Sequence, residues 1–403
     1  MRLFSAFRSR PFAVLWVAQT LSRLGDRIYL IALAWWVVQK TGSAVAMAAV
    51  LLANLVPTLF LLLAGGVLVD RWSRARLMLV SDVSRGLLVG AAAILSTAGL
   101  LEMPGMLALS AAFGAVDAFF EPAYIAIVPQ LVPAELRPSA NSLTELSRRL
   151  ATVAGPAIGA LVVAAAGVPA AFALDSVSFG VSAVGMLVIA RQVTTTPMRE
   201  SSASPLQDVR EGLGAVLGVP WLWITILVAS ITNVTLAGPL QAVMPILVTR
   251  HFGGGVALLG GLDALAGVGS VGAAIWLGRQ SRFRHRGLLV YLPWIACALA
   301  TAMLGLPVPI AAAGVLMIAI GVCLTTLSLV WMQTLQEFVP ENLLGRVSSI
   351  DFLGSAAFVP IGYVAAGAMA DTLGAAPVFV LGGLATAAML TVALLHPAVR
   401  RLD

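Results

Sequence analysis

A few ionisable residues interrupt long apolar runs in this chain. Arg23, Asp26 and Arg27 share one run, Asp117 and Glu121 another, and Glu145, Arg148 and Arg149 open a third. A charge in hydrocarbon is costly, so such groups face a protein interior or a water-filled path and mark routes for substrate or ions. Asp26 falls near the middle of its run, with Arg23 one turn earlier on the same helical face. Two readings are open for it: a site for substrate or a proton, or a structural ion pair between helices. Asp117 and Glu121 are four residues apart, on one helical face with Phe113, and no base lies near them in sequence. An acid in apolar surroundings, away from bases and beside a second acid, favours its neutral form. Asp117 is therefore the proton-coupling candidate, against a salt bridge to Arg85, Arg148 or Arg149. Glu145 reaches Arg148 and Arg149 at i+3 and i+4, so Arg149 either pairs locally or lines the inner half of a cavity.

The elements that carry these residues follow from composition. The chain has 403 residues, 60% hydrophobic and 10% charged, with a mean hydropathy of +0.99. Soluble domains carry about 25% charged residues, so this is an integral membrane protein. Twelve spans are predicted, at 12–38, 45–69, 77–100, 105–128, 141–166, 169–190, 221–248, 256–278, 287–305, 309–332, 346–370 and 375–395. The basic first residues lead into a run too long for a cleaved signal, which reads as a retained first helix. Of 24 Lys and Arg residues, this topology puts 17 on one side and two, Lys40 and Arg250, on the other. That split places both ends in the cytoplasm and accounts for the pI of about 10.1 without nucleic acid. Asp82 and Arg85 fall near the cytoplasmic end of the third span as expected partners of the loop before it. Asp175, Asp263 and Asp371 fall near the outer face, in reach of water. Trp294 and Trp331, with most of the other tryptophans, are expected in interfacial belts rather than cavity walls.

The longest polar stretch, within 191–220, reads as a linker between an N-terminal bundle, 1–190, and a C-terminal bundle, 221–403. The halves match at an offset of 207: Leu15-Trp16 with Leu222-Trp223, Val132-Pro133 with Val339-Pro340, and Gly65 with Gly272. Within 154–160, Pro156 removes a helix hydrogen bond, while Gly155 and Gly159 form a G-x-x-x-G face for close packing.

Three stretches carry a family resemblance. Gly66, Asp70, Arg71 and Arg74 resemble the G-x-x-x-D-R-x-G-R-R loop between helices 2 and 3 of major facilitator superfamily transporters, with Ser73 in place of Gly and Ala75 in place of a base. Gly155, Pro156 and Gly159 resemble the Gly-Pro motif in helix 5 of its exporters. Phe12, Leu15, Trp16, Gln19, Ser22, Gly25 and Asp26 resemble the opening of the drug-efflux branch that includes macrolide exporters and the enterobactin exporter. The resemblance implies an all-α membrane protein of two pseudo-symmetric six-helix bundles. It also implies alternating access, with Asp70 latching the inner gate against the start of the eleventh helix.

The expected function is proton-coupled efflux of a small lipophilic or amphipathic compound, with Asp26, Arg23, Arg27, Asp117, Glu121 and Arg149 in the cavity. The alternatives are uptake, lysophospholipid flipping, or a membrane sensor without transport. The expected partners are the small-molecule substrate, protons and the lipid bilayer of the cell membrane, with no nucleic acid, and the chain is read as a monomer. No cofactor is expected. There is no nucleotide-binding loop, Cys297 and Cys323 lie in separate runs without metal-ligand spacing, and His251, His285 and His396 all sit at span ends, so an enzyme site is not expected. If both ends are cytoplasmic, a green fluorescent protein fused to Asp403 will fluoresce and an alkaline phosphatase fused there will be inactive. The reverse pattern rejects the topology.

Overall fold

Hydrocarbon offers the backbone no water, so a crossing segment must close its own hydrogen bonds, and a helix does so within one segment. The computed structural model describes residues 3–71, 73–192, 211, 213–280, 285–400 and 402, with the side chains of 3, 62–71, 192, 341 and 342 outside that description. Every regular element among the described residues is helical. The first six long helices are α1 (Arg10–Thr41), α2 (Ala44–Arg71), α3 (Arg74–Thr97), α4 (Met103–Asp117), α5 (Phe120–Leu131) and α6 (Arg137–Gln192). There follow α7 (Pro220–Thr232), a π-helical stretch Asn233–Val243, α8 (Met244–Arg250), α9 (Val256–Leu277), α10 (Arg286–Leu304), α11 (Ile310–Phe338), α12 (Glu341–Ala357), α13 (Val359–Leu373) and α14 (Ala375–Leu395).

Sequence punctuation sets these limits. Pro104, Pro220, Pro245 and Pro360 stand in the first turns of their helices, where a missing N–H costs nothing and a fixed φ helps. The 56-residue α6 is two limbs, because Gly167 takes φ 81° and ψ 172°, a conformation closed to side chains with a Cβ. Among the described residues, ten helices are long and apolar enough to cross a membrane. Arg10–Thr41, at 32 residues, has the length but carries Arg23, Asp26 and Arg27 in mid-run.

The segment holding Asp117 and Glu121 crosses as one apolar stretch, Met103–Leu131, whose helical hydrogen bonding is interrupted once while Ala118 and Phe119 keep right-handed helical dihedrals. Asp117 is the last residue of α4 and Glu121 lies in the first turn of α5, with a turn at 118–119 between them. Of the loop motif, the backbone of Gly66, Asp70 and Arg71 continues α2, and their side chains lie outside the described residues. Most of the expected linker also lies outside them.

Two compact units form. The first comprises Met1–Lys40, Ala49–Glu200 and Val256–Ala264; the second comprises Thr41–Ala48, Ser201–Gly255 and Leu265–Asp403. In the first, Phe12, Leu15, Met78, Tyr124, Leu143 and Met186 make a core between α1, α3, α5 and α6. In the second, Tyr291, Trp294, Val330 and Leu390 do the same for α10, α11 and α14. Leu87, Ile94, Leu161 and Val392 are exposed, as suits a surface solvated by lipid.

Lipid tails are as apolar as leucine, so membrane helices associate through close packing of small residues. Gly155 and Gly159 press α6 onto α1: a Cβ there would lie 2.3 Å from Arg27 Cβ and 3.0 Å from Ile28 Cα. Gly114 is tighter, since its Cβ would lie 1.9 Å from the Asn54 carbonyl oxygen of α2. Gly114→Val must push α4 off α2 and will destabilise the fold by about 1–3 kcal/mol, the usual cost of overpacking. Gly180→Ala, which meets nothing within 4 Å, will not. Thermal unfolding of the purified variants in detergent, followed by size-exclusion chromatography, checks both.

Candidate functional site

The site grows from α1. Gly25 lets α1 approach the second limb of α6, where a Cβ would lie 2.2 Å from Ser178 Oγ and 2.4 Å from Asp175 Oδ1. The next residue, Asp26, then opens into a cavity of about 310 Å³ in the first unit. Arg23, Arg27, Tyr29, Phe113, Asp117 and Arg148 help line it. The aromatic wall is ordered: Tyr29 and Phe113 stack with centroids 5.9 Å apart, and Phe113 meets Phe179 edge-on at 6.0 Å.

Behind this wall lies a buried polar cluster that sequence reasoning missed. Asp82 is 0% exposed. It accepts hydrogen bonds from Ser182 Oγ at 2.6 Å, Arg85 Nη2 at 2.7 Å and Gln19 Nε2 at 3.4 Å. Gln19 Nε2 also donates to Ser182 Oγ at 2.7 Å. Arg85 Nη1 donates to Asp117 Oδ1 at 3.0 Å, and its guanidinium lies 4.0 Å from the Phe120 ring centroid. Asp82 and Arg85 are thus core groups, and this corrects their assignment to the cytoplasmic loop. Their i, i+3 spacing was visible, but nothing in the sequence placed Gln19 and Ser182 beside them.

The charges of the site pair differently from their sequence neighbours. Arg23 does not pair with Asp26. It reaches Glu121 at 3.5 Å and lies over the Tyr124 ring at 4.8 Å. Asp117 and Glu121 are accordingly not without bases, since Arg85 holds one and Arg23 the other, and they are 41% and 58% exposed. Among the described residues Asp26 makes no hydrogen bond or ion pair. Arg149 pairs with Glu145 at 2.7 Å, the local account, and it is Arg148 that lines the cavity. Asp175, expected in reach of water, is fully buried. Its Oδ1 accepts from Ser178 Oγ at 3.2 Å, and its Oδ2 has no partner among the described residues. Asp263 is half-buried and Asp371 exposed. Arg74 of the loop motif is buried and donates to the Ala126 carbonyl at 3.2 Å.

The second unit has its own cavity, of about 600 Å³, lined in part by the π-helical stretch. Trp294 and Trp331 are among its walls, which corrects their placement in interfacial belts. Among the described residues no cluster of His, Cys, Asp and Glu is arranged to hold a metal ion.

A family model described as transmembrane secretion effector, MFS_3, matches residues 2–402. The multidrug efflux pump Tap of Mycolicibacterium fortuitum is 25% identical over 404 residues, 98% of this chain and 97% of that one. Macrolide efflux protein A of Streptococcus pyogenes is 23% identical over 97% of both chains. The enterobactin exporter EntS of Shigella boydii is 28% identical over 333 residues, 80% of this chain and 73% of that one. Among solved structures, a bacterial homologue of the iron transporter ferroportin in an inward-facing state matches with a TM-score of 0.74 over 96% of this chain and 99% of that one. At 14% identity this shows a shared fold.

Removing one partner of a buried ion pair strands the other charge. Arg85→Met leaves Asp82 buried with neutral donors alone. It will cost about 3–5 kcal/mol, with no discount for solvent, since the two side chains are 3% and 0% exposed. Adding Asp82→Asn to Arg85→Met will recover part of that loss. The midpoints of thermal unfolding for the single and double variants measure both effects.

Proposed function

From a chain that belongs to the MFS_3 family of transmembrane secretion effectors, we propose a proton-coupled exporter of small amphipathic or lipophilic compounds, working by alternating access in the cell membrane. Its fold is that of an all-α, multi-pass membrane transporter. The proposal counts twelve crossings: the ten apolar helices, Arg10–Thr41, and the second limb of α6 as a crossing of its own. It divides them into bundles at 1–190 and 221–403, with residues 191–220 between them and both ends cytoplasmic. Export is supported by relatives named for the efflux of drugs, macrolides and enterobactin.

The observation that carries proton coupling is the state of Asp26. Three nearby acids are tied to bases, Asp117 to Arg85, Glu121 to Arg23, and Glu145 to Arg148 and Arg149, while Asp175 is buried against Ser178 and does not line the cavity. Asp26 faces the cavity with no such bond, though Arg23 and Arg27 stand on the same helix within one turn. An acid outside any ion pair can gain or lose its proton without breaking one, so the step need not disturb the packing around it. The charges that act on it are Arg85 and Arg23 on one side of the balance and Asp117 and Asp82 on the other. Asp117 is thereby moved from first candidate to a fixed charge on the cavity wall. Asp70, Arg71 and Gly66 keep the gating role that the resemblance assigns them.

Everted membrane vesicles with an acidic lumen, given erythromycin as probe, test the reading. The wild type will accumulate the probe and lose it when a protonophore is added. Asp26→Asn will lower pH-driven accumulation about tenfold, a difference of ~1.4 kcal/mol in the coupled step, and Asp26→Glu will keep most of it. Accumulation by wild type that ignores the protonophore rejects proton coupling, and an Asp26→Asn variant as active as wild type removes Asp26 from it.

A further inference from the structure

The proton reading leaves the second unit's cavity unused. At about 600 Å³ it is roughly twice the volume of the first and within the range of drug-sized sites. Its polar groups are positioned in advance. Trp331 Nε1 donates to Asp351 Oδ2 at 2.9 Å, Tyr363 Oη donates to Gln241 Oε1 at 2.8 Å, and Asn233 Nδ2 donates to the Ser355 carbonyl at 2.6 Å. The Trp331 indole is itself braced, with Trp221 edge-on at 5.8 Å. Asn233 and Gln241 both come from the π-helical stretch, whose wider turn redirects side chains and is often found at functional sites.

The charge of this lining is one-sided. Asp351 is its single ionisable residue, and no Lys, Arg or His shares the wall among the described residues. One carboxylate oxygen accepts from Trp331, while Oδ1 has no hydrogen-bond partner among the described residues. A lone carboxylate in an apolar, aromatic chamber lacks a counter-charge, and a ligand that brings one gains more there than in water. The faces of Trp294 and Trp331 favour the same sign, since an aromatic face attracts cations. An anion meets the opposite: no donor of positive charge, and one carboxylate to repel it.

We infer that this cavity binds an amphipathic organic cation, with its apolar body against Trp294 and Trp331 and its charge at Asp351, which sets the specificity. The inference rests on the export reading only in making that cation the cargo; the binding is tested without transport.

The full chain in lipid nanodiscs is titrated with three probes of similar shape: tetraphenylphosphonium, neutral triphenylphosphine oxide and tetraphenylborate. Binding is read by equilibrium dialysis against empty nanodiscs and by quenching of tryptophan fluorescence. The wild type will prefer the phosphonium. Asp351→Asn will weaken phosphonium binding about tenfold, the lower end of the range for a lost close charge pair, and leave the phosphine oxide unchanged. Asp351→Glu will restore the preference, which guards against a variant that merely misfolds. Proton coupling is read separately, from the response of vesicle accumulation to the protonophore, so its failure leaves the comparison of probe affinities standing. Equal phosphonium affinity in wild type and Asp351→Asn overturns the inference. So does a wild-type preference for the neutral or anionic probe, or an equal loss of phosphonium and phosphine oxide in Asp351→Asn.

Discussion

Arg85 holds two carboxylates with one guanidinium, Asp82 at 2.7 Å and Asp117 at 3.0 Å, and covers the Phe120 ring at 4.0 Å. A planar fork of five donors suits such a post, which a point-like ammonium would fill less well. Through Asp82 the same charge reaches Ser182 on α6 and Gln19 on α1. Four segments of the first unit, α1, α3, α4 and α6, therefore share one buried electrostatic knot. In hydrocarbon the alternative to this network is unpaired charge, which costs far more than any single bond in it. The knot also sits where α4 ends, so the break at 118–119 has a charged partner on each side: Arg85 with Asp117 before it, Arg23 with Glu121 after it.

That arrangement decides which acids are spare. With Asp82 and Asp117 on Arg85, Glu121 on Arg23 and Glu145 on its own helix, Asp26 is left facing the cavity unbonded among the described residues. Its freedom is a product of other residues' pairing, not of its own surroundings alone. The second unit solves a different problem. Its cavity has no base to neutralise Asp351 and uses an indole N–H instead, a weaker partner that leaves the carboxylate's charge in place. One chamber is thus a mixed field of both signs, the other an aromatic room with a single negative charge.

The close approach of backbones is what makes such chambers rigid. Gly25, Gly114, Gly155 and Gly159 occupy points where a Cβ would fall within 3.0 Å of a neighbour. In lipid this packing replaces the hydrophobic effect as the force that joins helices. Each contact brings a polar wall into place: Gly25 seats α1 beside Asp175 and Ser178, and Gly155 fixes the stem of Arg27 at the cavity.

The sequence by itself determined a great deal here, because lipid permits so few solutions. Hydropathy alone required helices, and the motifs at 66–76, 155–159 and 12–26 carried the family. The helical position of Asp26 carried the cavity. A close-packing face at Gly155 and Gly159 was also legible, since G-x-x-x-G has a direct steric meaning, though its partner α1 was not. What only the tertiary structure decided was pairing. Arg23 and Asp26 looked like partners, and Asp117 and Glu121 looked free of bases, because spacing is all that a linear chain displays. In three dimensions Arg23 lies closer to Glu121, and Arg85 to Asp117, across helices whose rotations no periodicity records. Asp175 and Asp82 were misplaced for the same reason: depth along a helix can be counted from sequence, but which side of it faces a neighbour cannot. A charge in a low-dielectric interior takes the partner nearest in space, and that distance is set by packing.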